Sequence, residues 1–220
     1  MRSTAEALAL VRAFEASPEE EKSRELILAI LESTDAPFSR DQFQPGHITC
    51  TAVVLHPNGR QFLLMHHHRH QRWLLPGGHV ESSDVTLSDT ARREAMEETA
   101  VKIRGAALGA AHGGVLGAAH GAALGSAHGG ILGAAHGAVL GAAPAPLVGM
   151  DVHGIPARKR EPFHLHHDLI FAFGATSDEF TLTEEAPRVA WSAAEEFERY
   201  QLPPSIVRAA MRALQADLTK

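Results

Sequence analysis

At 220 residues the chain suits one ordinary domain with additions, or two very small ones, and is long enough to bury a real core. Its formal charge of -6 argues against a nucleic-acid partner, which a basic footprint would announce, and its one cysteine, Cys50, excludes an internal disulfide and fits a reducing compartment. The opening MRSTAEALALVRAFEAS turns acidic at Glu15 and lacks the apolar core of a secretory signal. Outside one Ala/Gly-rich stretch nothing approaches the roughly 20 apolar residues of a membrane helix, so the expectation is a cytoplasmic protein with no membrane partner.

Residues 4 to 15 place Leu8, Val11 and Phe14 at helical spacing. Ser17-Pro18-Glu19-Glu20 then reads as a capping box with proline at the first helical position, and Leu26, Ile27, Ile30 and Leu31 form the apolar stripe of a second helix. Residues 1–44 are thus expected to form a helical extension ahead of a main domain, 45–220. In that domain HITCTAVVL, the turn Pro57-Asn58-Gly59 and QFLLMH predict a hairpin. A helix follows over 86–100, then a strand over 163–173 with Phe163, Leu165, Leu169, Phe171 and Phe173 on a buried surface. The short strand RVAWS and a terminal helix from about Pro204 to Leu218 complete the chain. This order predicts an α+β fold.

Between the central helix and its next strand lies a low-complexity insert, 107–146, which divides into five octads: ALGAAHGG, VLGAAHGA, ALGSAHGG, ILGAAHGA and VLGAAPAP. As a helix, each octad advances its leucine by about 80°, so no apolar face persists, and each glycine costs roughly 1 kcal/mol. As strands, the even period puts every Leu and His on one face; short hairpins and plain disorder both fit the composition. His112, His120, His128 and His136 are spaced to chelate a metal across octads, but tandem duplication of a tolerated surface loop explains the repeat without a function.

The chemistry lies ahead of that insert. Glu94, Glu97 and Glu98 stand at i, i+3 and i+4, which puts three carboxylates on one helix face, where they repel one another. A hard divalent cation relieves that repulsion; a solvated acidic face is the competing explanation. Leu75-Pro76-Gly77-Gly78 offers backbone that approaches closely, including a carbonyl for the same ion, and the planar fork of Arg93 can hold a neighbouring carboxylate in place.

The full segment LPGGHVESSDVTLSDTARREAMEETAV resembles the signature of the Nudix hydrolase superfamily: a glycine, then an acid, then R-E-x-x-E-E-x-G across a loop, helix and loop. Gly78, Asp84, Arg93, Glu94, Glu97 and Glu98 fill that pattern, and the His-rich flanks PGHIT and WLLPGGHVE are similar to those of a subset of the family. The resemblance covers about 46–105 and 147–200 and implies an α/β/α sandwich with a mixed sheet, leaving the N-terminal helices and octads outside it. Two departures stand out. One extra residue separates Asp84 from Arg93, so the loop must bulge, and Ala100 replaces the final glycine, whose left-handed helix end costs alanine about 1 kcal/mol or more. The helix is therefore expected to run on or to end differently.

The resemblance implies a Mg²⁺-dependent hydrolase, with Mn²⁺ as a substitute, cleaving a pyrophosphate in a nucleoside diphosphate linked to another group. Glu94 and Glu98 would be principal metal ligands, Glu97 a further ligand or base, Gly78 a carbonyl ligand and Arg93 an orienting partner. The EEAPRVAW segment supplies Glu184 and Glu185 as a further acid, of which Glu185 is preferred.

Fifteen histidines are many for this length. His66, His67, His68 and His70 cluster before the glycine loop and His79 lies within it; His164, His166 and Asp168 alternate along one strand, with His153 in the preceding DVHGIPA. His68, His79, His153, His164, His166 and Asp168 are candidates for contact with a nucleotide-derived substrate; a transition-metal site and plain hydrogen-bonded structure are the other readings. Two other functions compete with hydrolysis: a non-hydrolytic nucleotide-binding regulatory module, and an assembly or metal-binding protein driven by the octads.

Overall fold

The computed structural model describes residues 4–68, 70–104, 145–159 and 161–216. The expectation for the octads lies outside the described residues, apart from Ala145 and Pro146 at their end. The elements in chain order are α1 (Thr4–Ala13), α2 (Glu21–Ser33), β1 (Gly46–Leu55), β2 (Gln61–His67), β3 (Arg72–Leu74), β4 (Gly77–His79), α3 (Leu87–Thr99), β5 (Leu147–Ile155), β6 (His164–Gly174), β7 (Arg188–Ala193), a 3₁₀ turn (Ala194–Glu196), α4 (Phe197–Tyr200) and α5 (Pro204–Ala213).

The strands form one mixed sheet in the order β3-β2-β1-β6-β5, with β4 added to β1 and β7 to β2. β1 and β6 run parallel over their whole length, Gly46 opposite Leu165 through Leu55 opposite Gly174. The predicted hairpin turn is present, with Gly59 at φ +68° and its N–H donating to the His56 carbonyl at 2.8 Å. Beyond the pair Leu55 and Phe62, however, β1 and β2 part: β1 takes β4 on that edge, while β2 takes β7. The sheet therefore opens beside β1.

Because side chains alternate along a strand, β1 divides its residues between two cores. Ile48, Cys50, Ala52 and Val54 pack with Ile27, Ile30 and Leu31 of α2 and Ala91 and Ala95 of α3. Val53 and Leu55 face the other way, with Ile206, Ala209, Ala210 and Ala213 of α5. Helices thus cover both faces, in the α/β/α arrangement expected. Covered on both sides, β1 is buried along nearly its whole length, and its second half, Ala52 to Leu55, is wholly apolar, as suits a central strand.

The N-terminal helices belong to this packing, since Ala7 and Val11 of α1 join the α2 and α3 core. The Glu20 carboxylate accepts from the Ser17 N–H at 3.0 Å, half of the predicted capping box, but regular helix begins at Glu21, one turn later. Glu20 is recruited instead by Arg212 of α5, through two hydrogen bonds at 2.7 and 2.5 Å.

Several expectations are corrected. Phe163 lies before β6 and is 62% exposed, its ring resting against Gly154, where a Cβ would approach to 2.9 Å. α5 ends at Ala213 and passes into turns at 214–216, so the terminal helix is shorter than its apolar pattern. α3 neither runs on nor ends in a new way: Ala100 itself takes the left-handed conformation, φ 55°, ψ 16°. Among the described residues no helix is long and apolar enough to cross a membrane.

Candidate active site

α3 starts at a capping box in which the Thr86 side chain accepts from the Asp89 N–H and the Asp89 carboxylate accepts from the Thr86 N–H, and its register aims Glu94 and Glu98 at β4. A Cβ on Gly78 would lie 2.6 Å from Glu94 Oε1, so any larger residue there would displace the Glu94 carboxylate. Glu98, 5% exposed, accepts from the Gly77 N–H at 2.9 Å. Glu97 faces outward. The three glutamates share one side of the helix in two tiers, an inner pair and an outer member.

Arg93 ties these groups together. Its guanidinium donates to Asp84 Oδ1 at 2.9 Å, Asp84 Oδ2 at 3.2 Å, Glu94 Oε1 at 3.0 Å, Glu97 Oε2 at 3.0 Å and the His79 carbonyl at 2.8 Å. Asp84 closes the turn Glu81–Asp84, in which the Glu81 N–H donates to Asp84 Oδ2 at 2.8 Å. Thr90 Oγ1 donates to the same carboxylate at 2.8 Å. Burial opposes ionisation of Asp84, but these donors, Arg93 first, hold its carboxyl below the usual range.

Glu94 and Glu98 shift in the opposite direction to Asp84. Burial pushes Glu94 up to about 7, against the pull of Arg93. Burial likewise pushes Glu98 up to about 8, despite the Gly77 N–H and with the charges of Glu94, Glu185 and Glu97 adding to the rise. Half-buried Glu94 and buried Glu98, with too little positive charge around them to favour both ionised forms, could hold a cation. Glu185 is also brought in: one donor atom each from His67, Glu98 and Glu185 lie within 4.8 Å of one another, with His67 Nε2 3.8 Å from Glu185 Oε1.

The histidines divide by strand and face. His68 is exposed in the turn after β2, where its backbone N–H donates to the Glu185 carbonyl at 2.9 Å; the neighbouring His67 turns toward the acids instead. His153, His166 and Asp168 line a cavity of about 450 Å³ on the sheet face opposite α3, with Thr49, Arg72 and Arg208 on its wall and Gly77 and Gly78 at its edge. Thr49 Oγ1 donates to Asp168 Oδ1 at 2.9 Å, and burial raises the Asp168 carboxyl.

Cross-strand register builds a histidine row beside this cavity. His153 on β5 stands opposite His166 on β6, which stands opposite His47 on β1. His79 on β4 and His164 on β6 complete the group, their rings 5.2 and 5.3 Å from that of His166. Burial, reinforced by the surrounding histidines, drops His166 to about 2, so it is neutral. Burial also disfavours charge on His153, but a 2.9 Å hydrogen bond with Asp151 raises it above its ordinary value. His47 was not among the candidates read from sequence, because its place beside His166 depends on a parallel pairing between distant strands.

The family model for the NUDIX domain matches residues 46–115, a span that holds β1, the glycine strand and the whole acidic helix. Over those residues the chain is similar to the NUDIX domain. Comparison with curated proteins found no match. Among solved structures, a NUDIX family hydrolase from Clostridium perfringens is similar at TM-score 0.45 and 18% identity, over 77% of this chain and 96% of that one. The MutT protein of Methanosarcina mazei Go1 is similar at TM-score 0.43 and 15% identity, over 76% and 92%. The NUDIX domain of Shewanella oneidensis NrtR, solved with ADP ribose, is similar at TM-score 0.40 and 15% identity, over 85% and 94%. In this chain the matched span supplies the acidic helix, the glycine strand, His47 and His79, while β5 and β6 supply His153, His164 and His166 and the loop before β7 supplies Glu185.

Proposed function

We propose that the protein is a Mg²⁺-dependent hydrolase, able to use Mn²⁺, that cleaves the pyrophosphate bond of a nucleotide-derived substrate. The observation that carries this reading is the pair of half-buried Glu94 and buried Glu98, both raised by burial, beside a glycine whose lack of a side chain leaves room for the Glu94 carboxylate. The donor set fits the ion: Glu94, Glu97 and Glu98 offer carboxylate oxygen and Gly78 a carbonyl, the hard ligands that Mg²⁺ takes. When bound, the ion would neutralise phosphate oxygens and acidify a water. Arg93 orients Glu94 and Glu97 through one guanidinium nitrogen, which holds the ligands in place before substrate arrives. Glu185, near His67 and Glu98, is the further acid that accepts the proton of the attacking water, with Glu97 as the second candidate.

The cavity that reaches Gly77 and Gly78 is the proposed substrate pocket, with Arg72 and Arg208 available to the phosphates and His153, His166 and Asp168 to the rest of the molecule. His79 and His164 support its histidine side; His68, exposed in its turn, is the weakest of the candidates. Mg²⁺-supplemented turnover of nucleoside triphosphates, ADP-ribose, dinucleotide polyphosphates and nucleotide sugars tests the reading. Hydrolysis of at least one class is expected, and Glu98→Gln is expected to lower it by about 100-fold or more. If wild type and Glu98→Gln were equally inert on every compound, the hydrolase reading would give way to a nucleotide-binding regulatory module.

A further inference from the structure

We propose that His47, His79 and His166 form a transition-metal site of the Zn²⁺ class, separate from the acidic site on α3. One ring nitrogen from each lies within 4.8 Å of the others. The ring centroids stand 5.0 Å apart for His47 and His79, 4.9 Å for His47 and His166, and 5.2 Å for His79 and His166. Three different strands, β1, β4 and β6, deliver them, so sheet pairing holds the trio.

The decisive member is His47, which is 1% exposed. Its Nδ1 is 3.0 Å from the Gln42 carbonyl, which can only accept, so Nδ1 carries the proton and Nε2 keeps a lone pair. That Nε2 is buried without a hydrogen-bond partner. Leaving a buried acceptor unsatisfied is destabilising; a cation between the three rings removes that cost. A hydrogen-bonded histidine cluster explains the other rings but leaves this atom without a function.

The surroundings repeat the same device. His164, its ring 5.1 Å from that of His47, holds its Nδ1 2.8 Å from the Pro162 carbonyl, and His153 holds its Nδ1 2.9 Å from Asp151. Carbonyl or carboxylate acceptors at one ring nitrogen are how metal-binding imidazoles are fixed in tautomer and direction. Three neutral nitrogen donors favour Zn²⁺, Co²⁺, Ni²⁺ or Cu²⁺ over Mg²⁺. They also leave a fourth position open, as catalytic zinc sites do, and His166 borders the cavity from which a water or a substrate oxygen can fill it.

β4 separates the two sites. Gly78 faces Glu94, and the His79 carbonyl meets Arg93, while the His79 ring turns to the opposite side of the sheet. The histidine site therefore stands whether or not the acidic site hydrolyses a pyrophosphate.

The test is zinc stoichiometry on the full chain after chelator treatment, with Mg²⁺ in excess, for wild type, His166→Gln, His79→Gln and Glu98→Gln. Wild type and Glu98→Gln are expected to retain one equivalent more than either histidine variant, and Co²⁺ loading to give a visible ligand-field band lost in both histidine variants. The octad histidines are common to all four chains, so the difference reads the cluster. Should His166→Gln fail to fold by circular dichroism, His79→Gln, changed at a partly exposed position, decides alone. Equal stoichiometry in all four chains overturns the proposal, as does loss of the ion in Glu98→Gln, which would assign it to the acids.

Discussion

Arg93 and Gly78 govern the acidic site in different ways. Arg93 spreads its donors over Asp84, Glu94, Glu97 and a backbone carbonyl, a pattern that a single ammonium cannot match. With the acids holding Mg²⁺ as proposed, Arg93→Lys is expected to lower kcat by about 100-fold while raising the Mg²⁺ concentration needed for half-maximal rate, because misplaced carboxylates would cost rate even when none is missing. An unchanged Mg²⁺ requirement would remove Arg93 from its orienting role. At Gly78 the limit is space: the Cβ of Gly78→Ala would meet Glu94 Oε1 at 2.6 Å. That variant should fold with near-normal stability, since the side chain of Glu94 can swing away, yet lose activity by about 10- to 100-fold. Steady-state kinetics beside a urea melt separates the two effects.

The end of α3 shows how an element tolerates a residue its local rules disfavour. Ala100 occupies the left-handed position at φ 55°, and the surrounding bonds account for its retention. The Ala100 N–H donates to the Met96 carbonyl at 2.8 Å, and the Thr181 N–H donates to the Thr99 carbonyl at 2.7 Å. Thr183 Oγ1 donates to the Glu98 carbonyl at 2.9 Å. The segment before β7 thus satisfies the last carbonyls of α3 and holds the helix end where a glycine would have gone unaided. Ala100→Gly is expected to raise stability by about 1 kcal/mol in chemical denaturation, with kcat unchanged. A loss of stability would mean that Ala100 is not strained.

Across the whole molecule, Glu20 and Arg212 tie the N-terminal helices to α5, and Arg212 also donates to the Val148 carbonyl at 3.1 Å. Glu20→Gln is expected to cost about 1–3 kcal/mol at neutral pH. Burial works against the Glu20 charge, but the hydrogen bonds from Arg212 and from the Ser17 N–H hold its carboxyl below its ordinary value. A depressed folded value means that the stabilisation is complete above the unfolded pKa and fades as pH falls through the folded one. Wild type and Glu20→Gln should therefore converge in acid, and a constant gap in urea melts down to low pH would exclude the ion pair as its cause. The insert can be tested on the same scale. Its described flanks are anchored at the far end of β6, the Arg104 N–H on the Gly174 carbonyl at 2.8 Å and the Ala172 N–H on the Pro146 carbonyl at 3.0 Å. The histidine row lies near the start of that strand, roughly 20–25 Å away at strand rise. Deleting 107–146 is expected to leave hydrolysis and oligomer size unchanged, as measured by turnover and light scattering. A change in oligomer size would revive assembly as the role of the octads.

The acidic helix and its glycine approach were legible in the residues themselves because helical periodicity is local: i, i+3 and i+4 place Glu94, Glu97 and Glu98 on one face wherever the helix goes. The central strand and the turn at Asn58-Gly59 were legible for the same reason, since alternation and turn chemistry act over a few residues. Pairing between distant segments was not. His47 meets His166 only through the parallel register of β1 with β6, and Glu20 finds Arg212 across 192 positions. His67, and not His68, turns toward Glu98 because the chain leaves β2 at that point. Register between remote strands is chosen by how both faces of the sheet bury their side chains, so tertiary packing alone decided which histidines would share a site.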